Sequence, residues 1–247
     1  MCSHTEEFDQ LGAPGRVADR YIELQNAMGN CLQKSIGSHS ELFGELHQLD
    51  ADLGLWTDLV ADGHTDQLSI ARRELALAAH CAASGLYRQA FAGLRLFLEL
   101  SFAAVYFSVN ELERRRWVAD KIDYSWSKGL DQDSGVLSRQ FVEAFCPGLA
   151  GEAPPFAQEA ATTYRYCSQF IHGKAAQSQM LPEGVFYVEK VLVDWTDNAR
   201  GAGEAVIFLL LVRYADRALG SQSLIDALGS RFGHLNGVRA MIGLADA

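Results

Sequence analysis

The segment of residues 86–110 constrains the fold of this chain more than any other, because apolar residues cover more than one of its helical faces. A surface helix shows a single apolar stripe, whereas a helix that is apolar nearly all round is enclosed by other elements. The segment also carries Arg95 and Glu99, which argues against a membrane span. We therefore predict a buried helix at the centre of a helical bundle. Its large apolar residues are Leu94, Phe97, Leu98, Phe102, Val105 and Tyr106.

Helical signals extend along most of the remaining chain, so the sequence predicts an all-α protein. Prolines number only 5, and Leu, Ala, Glu, Arg and Gln recur in long stretches, a composition that favours helices over strands. One exception is residues 184–195, where apolar and polar residues alternate and predict one short strand or hairpin arm. The other predicted helices cover residues 16–35, 66–84, 136–145, 156–172 and 198–219, with one more starting near Ser40 and one or two small ones within 221–247.

These helices divide the chain into three parts. We predict an N-terminal helical extension at residues 1–65, a bundle of long antiparallel helices at 66–220 and a helical tail at 221–247. Short connections between long helices imply antiparallel neighbours. A chain of 247 residues can still form a single core, although two helical lobes are an alternative.

The charge balance sets a condition on any nucleic-acid function. The formal net charge is -10, so the whole chain repels free RNA or DNA at long range. A nucleic-acid role then requires a local basic pocket or a partner. Basic clusters occur at Arg72 and Arg73, at residues 114–116, and at Arg213 with Arg217, and the simplest interpretation is solvated helix faces.

Cysteine usage and the first residues indicate the compartment. The 5 cysteines are scattered, odd in number and without a C-x-x-C pair, which argues against a disulfide framework or a zinc knuckle. The first residues lack a basic region followed by an apolar run, so we expect no signal peptide. These features predict a cytoplasmic protein with reduced cysteines and no membrane insertion.

Common catalytic and cofactor motifs are missing. The sequence contains no P-loop, no complete dinucleotide fingerprint, no H-E-x-x-H and no G-x-S-x-G motif. The Glu-x-x-His spacing of di-iron bundles is also lacking. Glu41, Glu45 and His47 lie close in sequence, but their spacing does not place all three on one helical face. We expect neither a metal site nor a cofactor.

Arg165 and His172 form the one constellation that suggests chemistry. They are seven positions apart, and seven steps of 100° return to within about 20°, so both side chains lie on one stripe of the predicted helix. Ser168 and Gln169 lie between them. An imidazole can serve as general acid or base near neutral pH, and a guanidinium stabilises charge on phosphoryl oxygens. This pair is suited to metal-independent RNA cleavage that leaves a 2′,3′-cyclic phosphate.

A structural interpretation of the same residues stays open. Histidine in a last helical turn followed by Gly173 is an ordinary stop signal for a helix. His172 then only complements the negative end of the helix dipole. Arg165 in that case is a surface residue or one member of an ion pair.

Residues 86–100 and 164–173 together resemble the HEPN superfamily of helical-bundle proteins, which includes many bacterial RNases. The family mark is an Arg-x(4–6)-His motif on one helix, faced by a polar residue of an earlier helix. Arg165 and His172 match the motif, and Glu99 is the facing residue we select. The resemblance covers about residues 66–220 and implies an HEPN-like bundle, often dimeric, that acts as a toxin or in anti-phage defence.

The resemblance also implies residue roles. His172 would be the general acid or base, Arg165 would stabilise the transition state, and Glu99 would orient them. The residues we assign to substrate binding are Arg95, Tyr166, Ser168 and Lys174. The implied partners are RNA, a second copy of the chain, and an antitoxin or regulatory protein.

Two features support a second hypothesis. Tyr166 stands where the family usually has a small polar residue, and the six-residue gap is the longest the motif allows. Several HEPN-like groups lack catalysis and bind other molecules. A non-catalytic HEPN-like interaction module of a larger complex is therefore the alternative to an endoribonuclease.

Overall fold

A computed structural model describes residues 14–61 and 67–244, and twelve α-helices account for most of them. The first six helices are α1 (Pro14–Ser38), α2 (Ser40–Val60), α3 (Gln67–Ala83), α4 (Tyr87–Val109), α5 (Glu111–Val118) and α6 (Trp126–Gly129). The next six are α7 (Arg139–Phe145), α8 (Ala153–Ile171), α9 (Ala175–Met180), α10 (Glu189–Ala218), α11 (Gln222–Phe232) and α12 (Asn236–Ile242). No strand occurs in these two ranges, so the predicted all-α bundle is confirmed.

Helix α4 occupies the centre of the bundle, as its composition predicts. It packs against α3, α8 and α10, and α10 in turn contacts α2 and α8. Apolar side chains of α4 are fully buried, among them Phe91, Leu94, Phe97 and Phe102. By length and composition alone α4 would also pass as a membrane span, but core helices pass the same test.

The second buried helix is α10, which runs for 30 residues with a kink at Tyr214. Residues 205–212 are all buried, so this stretch is enclosed on every side. Phe208 stacks on Phe156 of α8 at 4.0 Å between ring centroids and meets Phe232 of α11 edge-on. These aromatic contacts join the tail to the central helices.

The predicted strand or hairpin at 184–195 is wrong. Residues 184–188 are irregular, and α10 begins at Glu189 instead of residue 198. The Val188 amide donates to the Tyr87 hydroxyl at 2.8 Å, and that hydroxyl donates to the Val188 carbonyl at 3.3 Å. A side chain of α4 therefore satisfies the backbone groups that a strand would pair with another strand.

Other boundaries shift for local reasons. Ser138 accepts a hydrogen bond from the Phe141 amide at 3.2 Å, so α7 begins at Arg139 and not at residue 136. Helix α9 lies in a stretch without a helix prediction. Gly54 lies inside α2, where the Arg72 guanidinium packs against it and pairs with Asp50 at 2.8 Å.

Two glycines give a matched test of the packing between α2 and α10. A Cβ at Gly203 would lie 2.4 Å from the Leu49 Cδ2 atom, and Leu49 is buried. We expect Gly203→Ala to lower the free energy of unfolding by about 1–3 kcal/mol through overpacking. A Cβ at Gly44, in an exposed part of α2, would have no atom within 4 Å. Gly44→Ala should therefore raise the free energy of unfolding by about 0.5–1 kcal/mol, because alanine is the better helix former. Urea unfolding monitored by circular dichroism would measure the change in the free energy of unfolding for each variant. Changes of the same sign in the two variants would contradict this packing.

Candidate functional site

Helix α8 carries most of the predicted site residues, and its end has a defined geometry. The Lys174 amide donates to the Gln169 carbonyl at 3.0 Å, and the Gly173 amide to the Phe170 carbonyl at 3.3 Å. Gly173 has φ +62°, the left-handed conformation that glycine adopts without steric cost. These bonds form a Schellman motif, so His172 is the last residue of the helical path.

Arg165 and His172 both face solvent. Each side chain is exposed, and neither makes a hydrogen bond or ion pair with any residue that the structure describes. Ser168, half-buried between them, donates its hydroxyl to the Tyr164 carbonyl at 2.7 Å. The stripe expected from the seven-residue spacing is thus an open surface of α8, without an internal ion pair that would occupy Arg165.

The opposite face of α8 is anchored in the core. Phe170 stacks on Phe91 of α4 with ring centroids 3.9 Å apart, and Cys167 is fully buried. The guanidinium of Arg88 donates to the Phe170 carbonyl, which places a cation at the negative end of the α8 dipole. These contacts fix the end of the helix on which His172 lies.

Glu99 does not meet Arg165 or His172 through a hydrogen bond. It forms an ion pair with Arg95 at 3.0 Å and accepts a hydrogen bond from the Tyr164 hydroxyl at 2.7 Å. Arg95 also donates to that hydroxyl at 2.7 Å. The three side chains make a closed cluster between α4 and α8, and we call Arg95, Glu99 and Tyr164 the interhelical triad.

The environment of the triad is aromatic and partly buried. Trp126 of α6 stacks on the Tyr164 ring at 4.1 Å, and Tyr124 lies nearby with a buried hydroxyl that has no hydrogen-bond partner among residues 14–61 and 67–244. Burial and then the charge of Glu99 raise the pKa of Tyr124. Burial lowers the pKa of Arg95, but Glu99 and Tyr164 outweigh that effect and raise it. Arg95 therefore stays charged across the neutral range, and burial with the hydrogen bond to Glu99 raises the pKa of Tyr164, so its hydroxyl stays protonated.

Sequence reasoning missed Tyr164 and Trp126 as part of this site. Tyr164 directly precedes Arg165 in the sequence. It lies on the same side of α8 as Ser168, which follows it by one helical turn. The spacing of Arg95 and Glu99 indicated only a pair within their own helix. Their shared partner lies on another helix, and only the fold brings it there.

Tyr166, assigned to substrate binding, is engaged inside the protein. Its hydroxyl donates to Asp194 of α10 at 2.6 Å, and its ring meets Phe91 and Phe170 edge-on. Burial and the hydrogen bond to Asp194 raise the pKa of Tyr166. Only a part of this side chain is accessible to a substrate.

The remaining predicted residues lie at the end of α8 or beneath it. Lys174 is exposed and precedes α9. Burial, followed by the charge of Asp194, raises the pKa of the Cys167 thiol to about 12. Because the thiolate is the reactive species, Cys167 is an inert core residue.

The basic clusters do not combine into one pocket. Arg114 and Arg115 both pair with Glu111 at 2.6 Å, and these hydrogen bonds lower the pKa of Glu111 to about 2. Arg213 donates to the Ser108 hydroxyl at 2.9 Å, where α10 meets the end of α4. Closer to the end of α8, Arg88 contacts the Phe170 carbonyl, Arg95 contacts the Tyr164 hydroxyl, and Lys174 follows the helix.

A separate cleft of about 310 Å³ lies between α2, α10 and α11 and contains none of the predicted residues. Its floor holds the buried Asp52, which accepts from Gln48 at 2.8 Å and pairs with Arg231 at 2.5 Å. Arg200 and Glu45 face each other at its rim, 3.4 Å apart. The charges of this cleft are satisfied by one another. In residues 14–61 and 67–244, this cleft included, no three His, Cys, Asp or Glu side chains are placed to hold a metal ion.

Comparison with known proteins gave no relative. The chain matches no protein-family model, no curated protein and no solved structure. A function for the chain must therefore be inferred from the residues of the site and their geometry.

Substitution of Gly173 tests the cap that positions His172. We expect Gly173→Ala to lower the free energy of unfolding by about 1–2 kcal/mol, because an L side chain is strained at φ +62° although the space around it is open. Gly148→Ala is the control, since a Cβ there also meets nothing within 4 Å and the φ angle is not positive. It should change stability by less than about 0.5 kcal/mol. Equal losses in urea unfolding would show that the cap contributes nothing specific.

Proposed function

We propose that this chain is a metal-independent endoribonuclease of bacterial toxin or anti-phage type, with Arg165 and His172 as its catalytic residues. The observation that carries the proposal is the open stripe of α8. Both side chains are exposed and have no bonded partner among the residues that the structure describes. Both are therefore accessible to a phosphate group of RNA; a solvated surface arginine and a helix-terminal histidine would be exposed in the same way, and the cleavage assay below separates the two cases.

The reaction needs no metal ion, but it needs one base and one acid; His172 supplies one of the two, and a water molecule supplies the other. One base removes the proton of a 2′-hydroxyl, whose oxygen attacks the adjacent phosphorus atom, and the 5′-oxygen leaves with a proton from an acid. The products are a 2′,3′-cyclic phosphate and a 5′-hydroxyl end. His172 is the acid or base, and Arg165 stabilises the charge on the phosphoryl oxygens. Lys174 and Ser168 lie on the same helix end and supply contacts to phosphate.

In this proposal Glu99 does not orient Arg165 and His172 directly, which is the role that the resemblance implies. Through the interhelical triad it contacts Tyr164, the residue that precedes Arg165. Glu99 and Arg95 are therefore positioning residues that hold α8 against α4. A homodimer, an antitoxin or regulatory partner and a cytoplasmic location accompany the resemblance to HEPN proteins, and all of them stay predictions.

The non-catalytic interaction module is the second candidate, and two contacts favour it. Tyr166 is held by Asp194, and Glu99 is held by the triad, so neither is directed at the Arg165 stripe. The net charge of -10 also disfavours the capture of free RNA. In this case the exposed stripe is a binding surface for another protein.

Cleavage of a labelled RNA by the purified full chain tests the first candidate. We expect cleavage in EDTA, cyclic phosphate ends, and no cleavage of RNA with 2′-O-methyl groups. His172→Ala and Arg165→Ala should each lower the rate by about 100-fold or more. His80→Ala and Arg73→Ala are matched controls, because both side chains are exposed on α3, and they should leave the rate unchanged.

Induced expression in bacteria gives the same comparison in cells. Growth arrest with broken RNA in wild type, lost in both variants at matched protein level, would support the ribonuclease. Intact RNA without arrest would favour the interaction module. Arrest that survives both substitutions would place the active residues elsewhere in the chain.

Tyr166→Phe separates a structural role of this residue from substrate binding. The change removes the hydrogen bond to Asp194, and we expect a loss of about 1–2 kcal/mol in the free energy of unfolding. If Tyr166 acts only within the core, the cleavage rate should stay within two-fold of wild type at a temperature where the variant is folded. That limit corresponds to a change of about 0.4 kcal/mol in the activation free energy. A large drop in rate without a drop in stability would restore its assignment to substrate binding.

A further inference from the structure

Helix α1 presents an apolar stripe that the bundle covers at one end only. Cys31 and Ser35 are buried, and the Ser35 hydroxyl donates to the Ala83 carbonyl at 2.9 Å, so this end of α1 is fixed to α3. Toward the other end the stripe reaches solvent: Val17 is 45% exposed, Tyr21 70% and Leu24 42%. About two turns of a core-facing stripe, from Val17 to Leu24, thus extend beyond the bundle.

The stripe follows strict helical spacing. Val17, Tyr21, Leu24 and Met28 fall within an arc of about 60° at 100° per residue. Cys31 and Ser35 continue the same 4–3 alternation, which is the a/d pattern of a helix that packs along another helix. The same face that packs inside the bundle is therefore available for packing outside it.

Most charges of α1 lie away from this stripe, as in a helix that packs along another helix. The positions beside the stripe are mostly uncharged, with Ala27 on one side and Gln25 on the other, and Arg20 is the nearest charge. Asp19 and Glu23 lie about 120–160° away from the centre of the stripe. The polar face carries both signs and is not the basic face of a helix that binds anionic lipid.

We propose that α1 pairs with α1 of a second copy of this chain in an antiparallel, two-fold symmetric contact. Antiparallel pairing puts the two bundles at opposite ends of the helix pair, whereas parallel pairing would bring both bundles to the same end. The register that aligns the stripes places Val17 opposite Met28 and Tyr21 opposite Leu24 of the other copy. An isologous contact of this kind uses one self-complementary surface.

The pairing is independent of the ribonuclease proposal and uses another part of the molecule. Helix α1 packs on α3 and α2, whereas α8 packs on α4 and α10. About three turns of helix on each copy bury an area at the low end of specific interfaces, so we expect a reversible dimer with a micromolar dissociation constant.

Sedimentation analysis of the full chain over a concentration series tests the proposal. We expect Leu24→Glu to raise the dissociation constant at least about ten-fold, because the new charge is buried in the contact. Asn26→Glu adds the same charge to the opposite face of α1. It should change the dissociation constant less than two-fold, which is under about 0.5 kcal/mol of binding free energy. Unchanged thermal unfolding at low concentration would show that both variants keep the bundle intact. A chain that stays monomeric at every concentration overturns the proposal.

Two further measurements test the antiparallel register and ask whether residues 1–13 cover the stripe. A mixture of Tyr21→Cys and Leu24→Cys chains should form more disulfide-linked dimer on oxidation than either variant alone or the unmodified chain, and equal yields overturn the antiparallel register. Removal of residues 1–13 should leave the dissociation constant unchanged. If the full chain is monomeric and only the shortened chain associates, those residues cover the stripe, and the proposal is wrong.

Discussion

The burial of α4 is the constraint on which the other helices depend. A helix with apolar residues on several faces needs neighbours on several sides, and α3, α8 and α10 supply them. Arg95 and Glu99 complicate this burial, because a charge enclosed without a partner is costly. Arg95 and Glu99 pair with each other, and the Tyr164 hydroxyl adds a hydrogen bond to each by donating to Glu99 and accepting from Arg95. The core and the candidate site thus meet in one cluster.

This arrangement explains how a surface site can be held firmly by a helical protein. The exposed face of α8 carries Arg165 and His172, while its other face is packed through Phe170 and Cys167. The end of the helix is closed by the backbone bonds around Gly173. The backbone of such a rigid support loses little further freedom when a ligand binds, whereas the exposed Arg165 and His172 side chains become ordered only on binding.

The sequence predicted what local patterns determine and missed what distant partners determine. Residues 86–110 were placed within one residue of α4, because their composition alone requires enclosure. The strand at 184–195 was wrong, because a short alternating pattern across a helix start is ambiguous until the Tyr87 hydroxyl is seen to bond Val188. The stripe on α8 followed from helical spacing. The contact of Glu99 with Tyr164, 65 residues later, has no spacing rule that could reveal it.

The interhelical triad also limits how α4 and α8 can be aligned. A slide of one helical turn along the neighbour is about 5.4 Å, and it would take the Tyr164 hydroxyl out of reach of Arg95 and Glu99. Apolar contacts alone tolerate such slides far better, since one leucine can replace another. The two charges therefore make the correct alignment distinct from its near alternatives during folding, at a cost in burial that purely apolar residues would not incur. In this chain, the fidelity of folding and the placement of Arg165 depend on the same three side chains.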